Sequence, residues 1–226
     1  MLRDHNQTEA YFTNYLNEQE KRIQRFSKKL EQMVREQRPE EKVRQCHGIL
    51  ARLLHDKLYA QYSLGCPKED LSATVSLYLD HVKEQNQLTF QETAEALSLA
   101  IVFHRPAQKV LSADRILDDD LLKTLYFWDD RHKTCQESYG LLFPGTARVF
   151  WQTLEGKTSG AELSRYIQTH WYEDNRDASW FNAEQRNDGT YCGYWCFLGA
   201  AVALLMKFDK KLFADCHYFP LDVLEW

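Results

Sequence analysis

Glycine and proline are scarce in this chain, 9 and 5 among 226 residues, and runs of β-branched residues are nearly absent. That composition excludes collagen-like and turn-rich β architectures and points to an all-helical protein. The six cysteines, Cys46, Cys66, Cys135, Cys192, Cys196 and Cys216, show neither dense spacing nor a C-x-x-C pair. A disulfide scaffold and a zinc ribbon are therefore not expected, and reduced thiols are the natural reading. Met1 to Asn6 has no apolar signal core, and the longest apolar run ends at Lys207, short of a membrane span. The expected protein is soluble and cytoplasmic. No G-x-S-x-G, H-E-x-x-H, phosphate loop or dinucleotide fingerprint is present, so nothing in the motifs requires an enzyme. There is no low-complexity segment and no repeat of fixed period.

What charge there is lies unevenly. The net charge is −5; residues 1–110 carry 16 Lys+Arg against 15 Asp+Glu, whereas 111–226 carry 12 against 18. An acidic second half disfavours direct nucleic-acid binding, which needs cations to displace phosphate counterions. It suits covering a basic surface.

Apolar spacing predicts the helices. Phe12, Leu16, Ile23, Phe26, Leu30 and Met33 recur three or four apart over 8–38, with Gln19 in one seam position. Pro39 opens a second helix whose inner face is Val43, Cys46, Leu50, Leu53, Leu54, Leu58 and Tyr62, and Gly65 supplies a left-handed cap. A third runs from Lys68 to Gln87, and Thr89-x-x-Glu92 is a capping box that starts a fourth, ending near His104. Further helices are expected over 118–131, 145–154 and 161–172, the last behind a second capping box, Ser159-x-x-Glu162. The segment Val110 to Asp114 is the expected boundary between an N-terminal four-helix domain, 1–111, and an aromatic, acidic C-terminal helical domain, 112–226, packed together as a multi-helix bundle.

The most specific stretch is the last forty residues. Tyr191-Cys192-Gly193-Tyr194-Trp195-Cys196-Phe197 opens an alanine-rich helix, apolar almost all round from Tyr194 to Phe208 and so expected at the centre of its domain. Tyr218-Phe219-Pro220-Leu221-Asp222 follows, with Pro220 preventing further helix. Tyr191, Gly193, Tyr194 and Trp195 are expected to pack beneath the tail of Tyr218, Pro220 and Asp222.

Tyr-x-Gly-Tyr-Trp, an Ala-rich helix and Tyr-Phe-Pro-x-Asp together resemble the C-terminal domain of the PoNi immunity proteins. The likeness extends to Trp171-Tyr172 and Trp180-Phe181, and a long first helix followed by a His- and Arg-bearing second one is similar to that family's N-terminal domain. The resemblance implies a bacterial protein that neutralises a PoNe-type polymorphic DNase toxin, often one delivered by type VI secretion. One position departs from the family: the glutamate often found after the aromatic that follows Tyr-Trp is here Leu198.

Other constellations carry less. His47 and His55 are eight apart on one helix with no carboxylate or cysteine pair to complete a metal set. Cys192 and Cys196, four apart on the expected buried helix, read as structural thiols rather than ligands, with Cys216 and His217 on the tail. Asp118-Asp119-Asp120 lacks a glycine-bearing Ca²⁺ loop and suits a helix start. Asp129-Asp130 with His132 lies between Arg131 and Lys133 and reads as a charged helix end. No cofactor or metal is expected.

These features favour a stoichiometric inhibitor that docks an acidic face over a nuclease site. Asp118, Asp119, Asp120, Asp129, Asp130, Glu173 and Asp174 are the pool from which the toxin-binding surface is expected to draw. The rival classes are a hydrolase of a toxin product or modification, with His104, His132 or His170 as base, and a helical scaffold.

Overall fold

A computed structural model of the chain describes residues 1–128, 139–186 and 188–226; among them the regular structure is helical throughout. The chain forms two compact units, Met1–Gln87 with Asn182–Tyr194, and Leu88–Phe181 with Trp195–Trp226. Val110 to Asp114 lies within the second.

In the first unit, α1 (Glu9–Arg35) starts at Thr8, whose side chain accepts from the Tyr11 amide at 3.1 Å. It packs on α2 (Glu40–Leu64), which in turn packs on α3 (Lys68–Lys83), four residues shorter than expected. The seam is the expected apolar set, with Phe12, Leu50, Leu54, Leu58 and Tyr62 buried. Gln19 is buried in that seam too, its amide donating to the Tyr15 hydroxyl at 2.8 Å. Gly65 ends α2 at φ 89°, and a Cβ there would lie 1.9 Å from the Met1 carbonyl oxygen, so both conformation and space require glycine.

In the second unit, α4 (Phe90–Val102) carries the predicted capping box, with Glu92 accepting from the Thr89 amide at 2.8 Å. It packs against the alanine-rich α11 (Phe197–Leu205) within this unit, rather than grouping with the three helices that precede it. Both helices bury small side chains, Ala96 and Ala100 on α4, Ala200, Ala201 and Ala203 on α11. Alanine permits close helix approach, which sequence order alone does not assign to a partner. Around them stand α5 (Ala107–Val110), α6 (Asp120–Tyr126), α7 (Pro144–Leu154), α8 (Gly160–Thr169), with its Ser159/Glu162 capping box, and α9 (Trp171–Asp174). The remaining short helix, α10 (Ala183–Arg186), belongs to the first unit.

The central helix begins at Phe197, later than the apolar run suggests. Gly193 sits at φ 117° and no helix forms over 191–196. Cys196 is the N-cap; its thiol accepts from the Gly199 amide at 3.4 Å, and its own amide donates to the Tyr218 carbonyl at 2.8 Å. Cys192 is thus not on the helix, and the two thiols do not share a helical face. At Gly199 a Cβ would meet Ile167 Cδ1 at 2.5 Å, so this glycine lets α8 lie close to α11.

Candidate functional site

At the entry to α6 three successive aspartates take three different roles. Asp118 is exposed and pairs with Lys123 Nζ at 2.9 Å. Asp119 has 0% exposure: Oδ1 accepts from the Leu122 amide at 3.1 Å as the N-cap, and Oδ2 accepts from the Leu142 amide at 2.7 Å. Asp120 accepts from the Tyr139 and Gly140 amides at 2.9 and 3.1 Å, and its own amide donates to the Gly140 carbonyl at 2.9 Å. Two carboxylates expected at a toxin interface are therefore spent on the chain's own backbone. Asp119 in particular is corrected: wholly buried, it offers no surface to a partner. Asp129 and Asp130 lie outside the described residues, as do His132 and Cys135.

The segment held by Asp119 and Asp120 presents large apolar groups to solvent. Tyr139 is 39%, Leu142 51% and Phe143 48% exposed. Phe143 rests on Phe90 with ring centroids 5.0 Å apart, and the Lys123 ammonium lies 4.5 Å over the Tyr139 ring. Pro144 then begins α7, its fixed φ suited to the first helical position.

Elsewhere in the second unit an aromatic cluster joins Trp171, Tyr172, Trp180, Phe181 and Tyr218. Trp171 stacks on Trp180 at 5.4 Å and Tyr172 on Tyr218 at 5.3 Å. Glu173 and Asp174 are exposed beside it on α9. Asp174 accepts from the Tyr166 hydroxyl at 3.0 Å; burial first, then that bond, pushes the Tyr166 phenol up.

The signature residues divide between the units: Tyr191, Gly193 and Tyr194 fall in the first, Trp195, Tyr218, Pro220 and Asp222 in the second. Tyr191 is buried in the first unit and donates to Asp4 Oδ2 at 2.5 Å while accepting from Asn6 at 2.9 Å. Ser63 donates to the Cys192 carbonyl at 2.9 Å, and Tyr194 bonds the Glu184 carboxylate. Trp195 and Pro220 are buried; Asp222 is half-buried in the final turn.

Among the described residues the histidines are not grouped as a metal set. His47 meets His81, Nδ1 to Nδ1 at 2.9 Å, so that one ring donates to the other, and burial lowers both from the ordinary histidine value. His55 faces Asp56 at 3.3 Å and lies tilted against the Tyr59 ring at 4.3 Å; His104 bonds the Trp226 carbonyl; His170 bonds the Thr169 hydroxyl. Burial pushes the Cys192 and Cys196 thiols well up and Cys216 to about 11, away from reactive thiolates. Among the described residues no three His, Cys, Asp or Glu side chains are grouped to hold a metal ion, and no helix is long and apolar enough to cross a membrane.

Residues 117–223 match the family model of the PoNe immunity proteins (PoNi), C-terminal. This C-terminal part of the chain matches the PoNi family, which implies an immunity protein against a PoNe nuclease toxin rather than an enzyme. No curated protein sequence and no solved structure matches the chain.

Proposed function

We propose that the protein neutralises its cognate DNase by one-to-one occlusion of the nuclease active site, in the cytoplasm of the cell that makes it, as the immunity partner of a type VI or related contact-dependent effector in interbacterial competition. The family match over 117–223 carries this reading. The excess of acidic groups in 111–226 supports it, since a nuclease presents cations to DNA and an occluding partner gains encounter rate from opposite charge. Within the expected pool, Asp118, Glu173 and Asp174 have exposed side chains suited to such a rim, with Asp129 and Asp130 as further members and Asp120 half-buried. The protein itself makes no direct contact with nucleic acid or membrane. The division at 111/112 is kept as a boundary between sequence modules, supported by a family match that starts at residue 117.

The test is to purify the chain with the nuclease domain encoded beside its gene and titrate DNA cleavage. An endpoint at one equivalent with a stable complex is expected; loss of toxicity without a complex would favour the hydrolase reading. Deleting the gene should sensitise cells only to neighbours with a working secretion apparatus.

A further inference from the structure

We propose that Tyr139, Leu142 and Phe143 are the apolar anchor by which the protein seats in a cation-rimmed pocket of its cognate nuclease, and that Asp119 and Asp120 are positioning residues that hold the anchor in shape. The inference rests on the immunity reading above and names the contact surface within it.

Single exposed apolar residues are ordinary on any protein, but three large ones within five positions, each at least 39% exposed, concentrate apolar surface on one short segment, as interfaces do. Surface loops normally leave their amides to water. Here the amides of Tyr139, Gly140 and Leu142 are all held by Asp119 and Asp120, and Asp119 is completely buried in doing so. A segment fixed before encounter loses little freedom on docking. Aromatic and aliphatic anchors in a desolvated pocket supply most of the energy at protein interfaces, with charges at the rim steering approach. Asp118, exposed at the start of the same turn, pairs with Lys123, which leaves the corner with three aspartates against that one lysine, a net negative rim opposite in sign to a nuclease's DNA-facing surface. A second copy of the chain fits less well, because a two-fold contact would bring another set of these carboxylates to the same corner.

The test measures binding to a catalytically inactive form of the nuclease domain encoded beside the gene, by surface-immobilised kinetics at low and high salt. Leu142→Glu leaves the Leu142 backbone bond to Asp119 possible and adds negative charge. If the corner acts only by charge, the variant binds as fast or faster; the anchor predicts roughly tenfold or weaker binding, mostly in the dissociation rate. Tyr139→Ala should weaken binding in the same sense and is the second variant should Leu142→Glu melt below the parent. Asp120→Ala should weaken binding in the parent and add little in the Leu142→Glu background, a coupling that a merely stabilising role would not produce. Tight binding by both anchor variants overturns the anchor and leaves the immunity reading intact. Failure of the unsubstituted chain to bind removes both. Loss of self-association with nuclease binding unchanged would assign the patch to a second copy and likewise overturn the proposal.

Discussion

Replacing Tyr191 with Phe removes one oxygen from the interior of the first unit and leaves the ring. The ring contacts, 6.2 Å to Phe12 and 4.8 Å edge-on to Tyr194, survive the change, so the packing contribution is nearly constant. What goes is the hydrogen bond to the buried Asp4 carboxylate at 2.5 Å; Asn6, being exposed, can turn to water. Asp4 keeps the Asn6 backbone amide as a donor at 2.8 Å. A hydrogen bond to a charged group contributes about 1.5–3 kcal/mol, and a buried carboxylate left short of a donor puts the expected loss at roughly 2–3 kcal/mol. Alkaline pH gives an independent reading. Burial, then the Asp4 charge, raises the Tyr191 phenol far above its ordinary value, so the unfolded chain loses this proton near pH 10 while the folded one keeps it. The stability it contributes is fully present below pH 10 and falls as pH rises beyond that, by about 1.4 kcal/mol per unit. Tyr11 and Tyr15 in the same unit are also raised by burial and add to the parent's loss. The variant should therefore be less stable at neutral pH yet lose stability less steeply above pH 10. Urea unfolding followed by circular dichroism between pH 7 and 11 measures both. All six tryptophans lie in the second unit, so their fluorescence separates the two transitions. A midpoint equal to the parent's, or an unchanged alkaline slope, would refute the reasoning.

Trp195→Ala should lower the stability of the second unit by roughly 3–5 kcal/mol, the cost of emptying a buried indole site, seen as a lower midpoint in tryptophan fluorescence. Asp119→Ala should cost about 2 kcal/mol, because the buried Leu122 amide loses its cap and the Leu142 amide its acceptor; faster hydrogen exchange at both amides would report it. Glu173→Lys with Asp174→Lys should slow association with the nuclease and flatten its salt dependence, while leaving dissociation nearly unchanged. Equal rates at low salt would move the acidic rim elsewhere.

The helices were readable where a local rule decides them. Thr89/Glu92 and Ser159/Glu162 are reciprocal caps within one turn, Gly65 is the one residue type at ease at φ 89°, and the spacing of Leu50, Leu54 and Leu58 places one face inward whatever lies opposite. The family signature was legible for the same reason, being a short run of side chains in fixed order. The start of α11 was not, because apolar continuity from Tyr194 onward says buried but does not say helical; the positive φ of Gly193 and the Cys196 bond to the Tyr218 carbonyl decide it.

The aspartates show the division most plainly. Composition and order alone determined an all-helical chain with an acidic second half, the caps that start its helices and the PoNi signature, since each depends on neighbours within a few residues. Whether Asp118, Asp119 and Asp120 face a partner, solvent or their own backbone depends on amides about twenty positions away. Only the tertiary structure brings Tyr139, Gly140 and Leu142 to them, burying Asp119 and leaving Leu142 and Phe143 exposed. Exposure and long-range pairing are properties of the packed chain, set by what else occupies the space, and no local pattern encodes them.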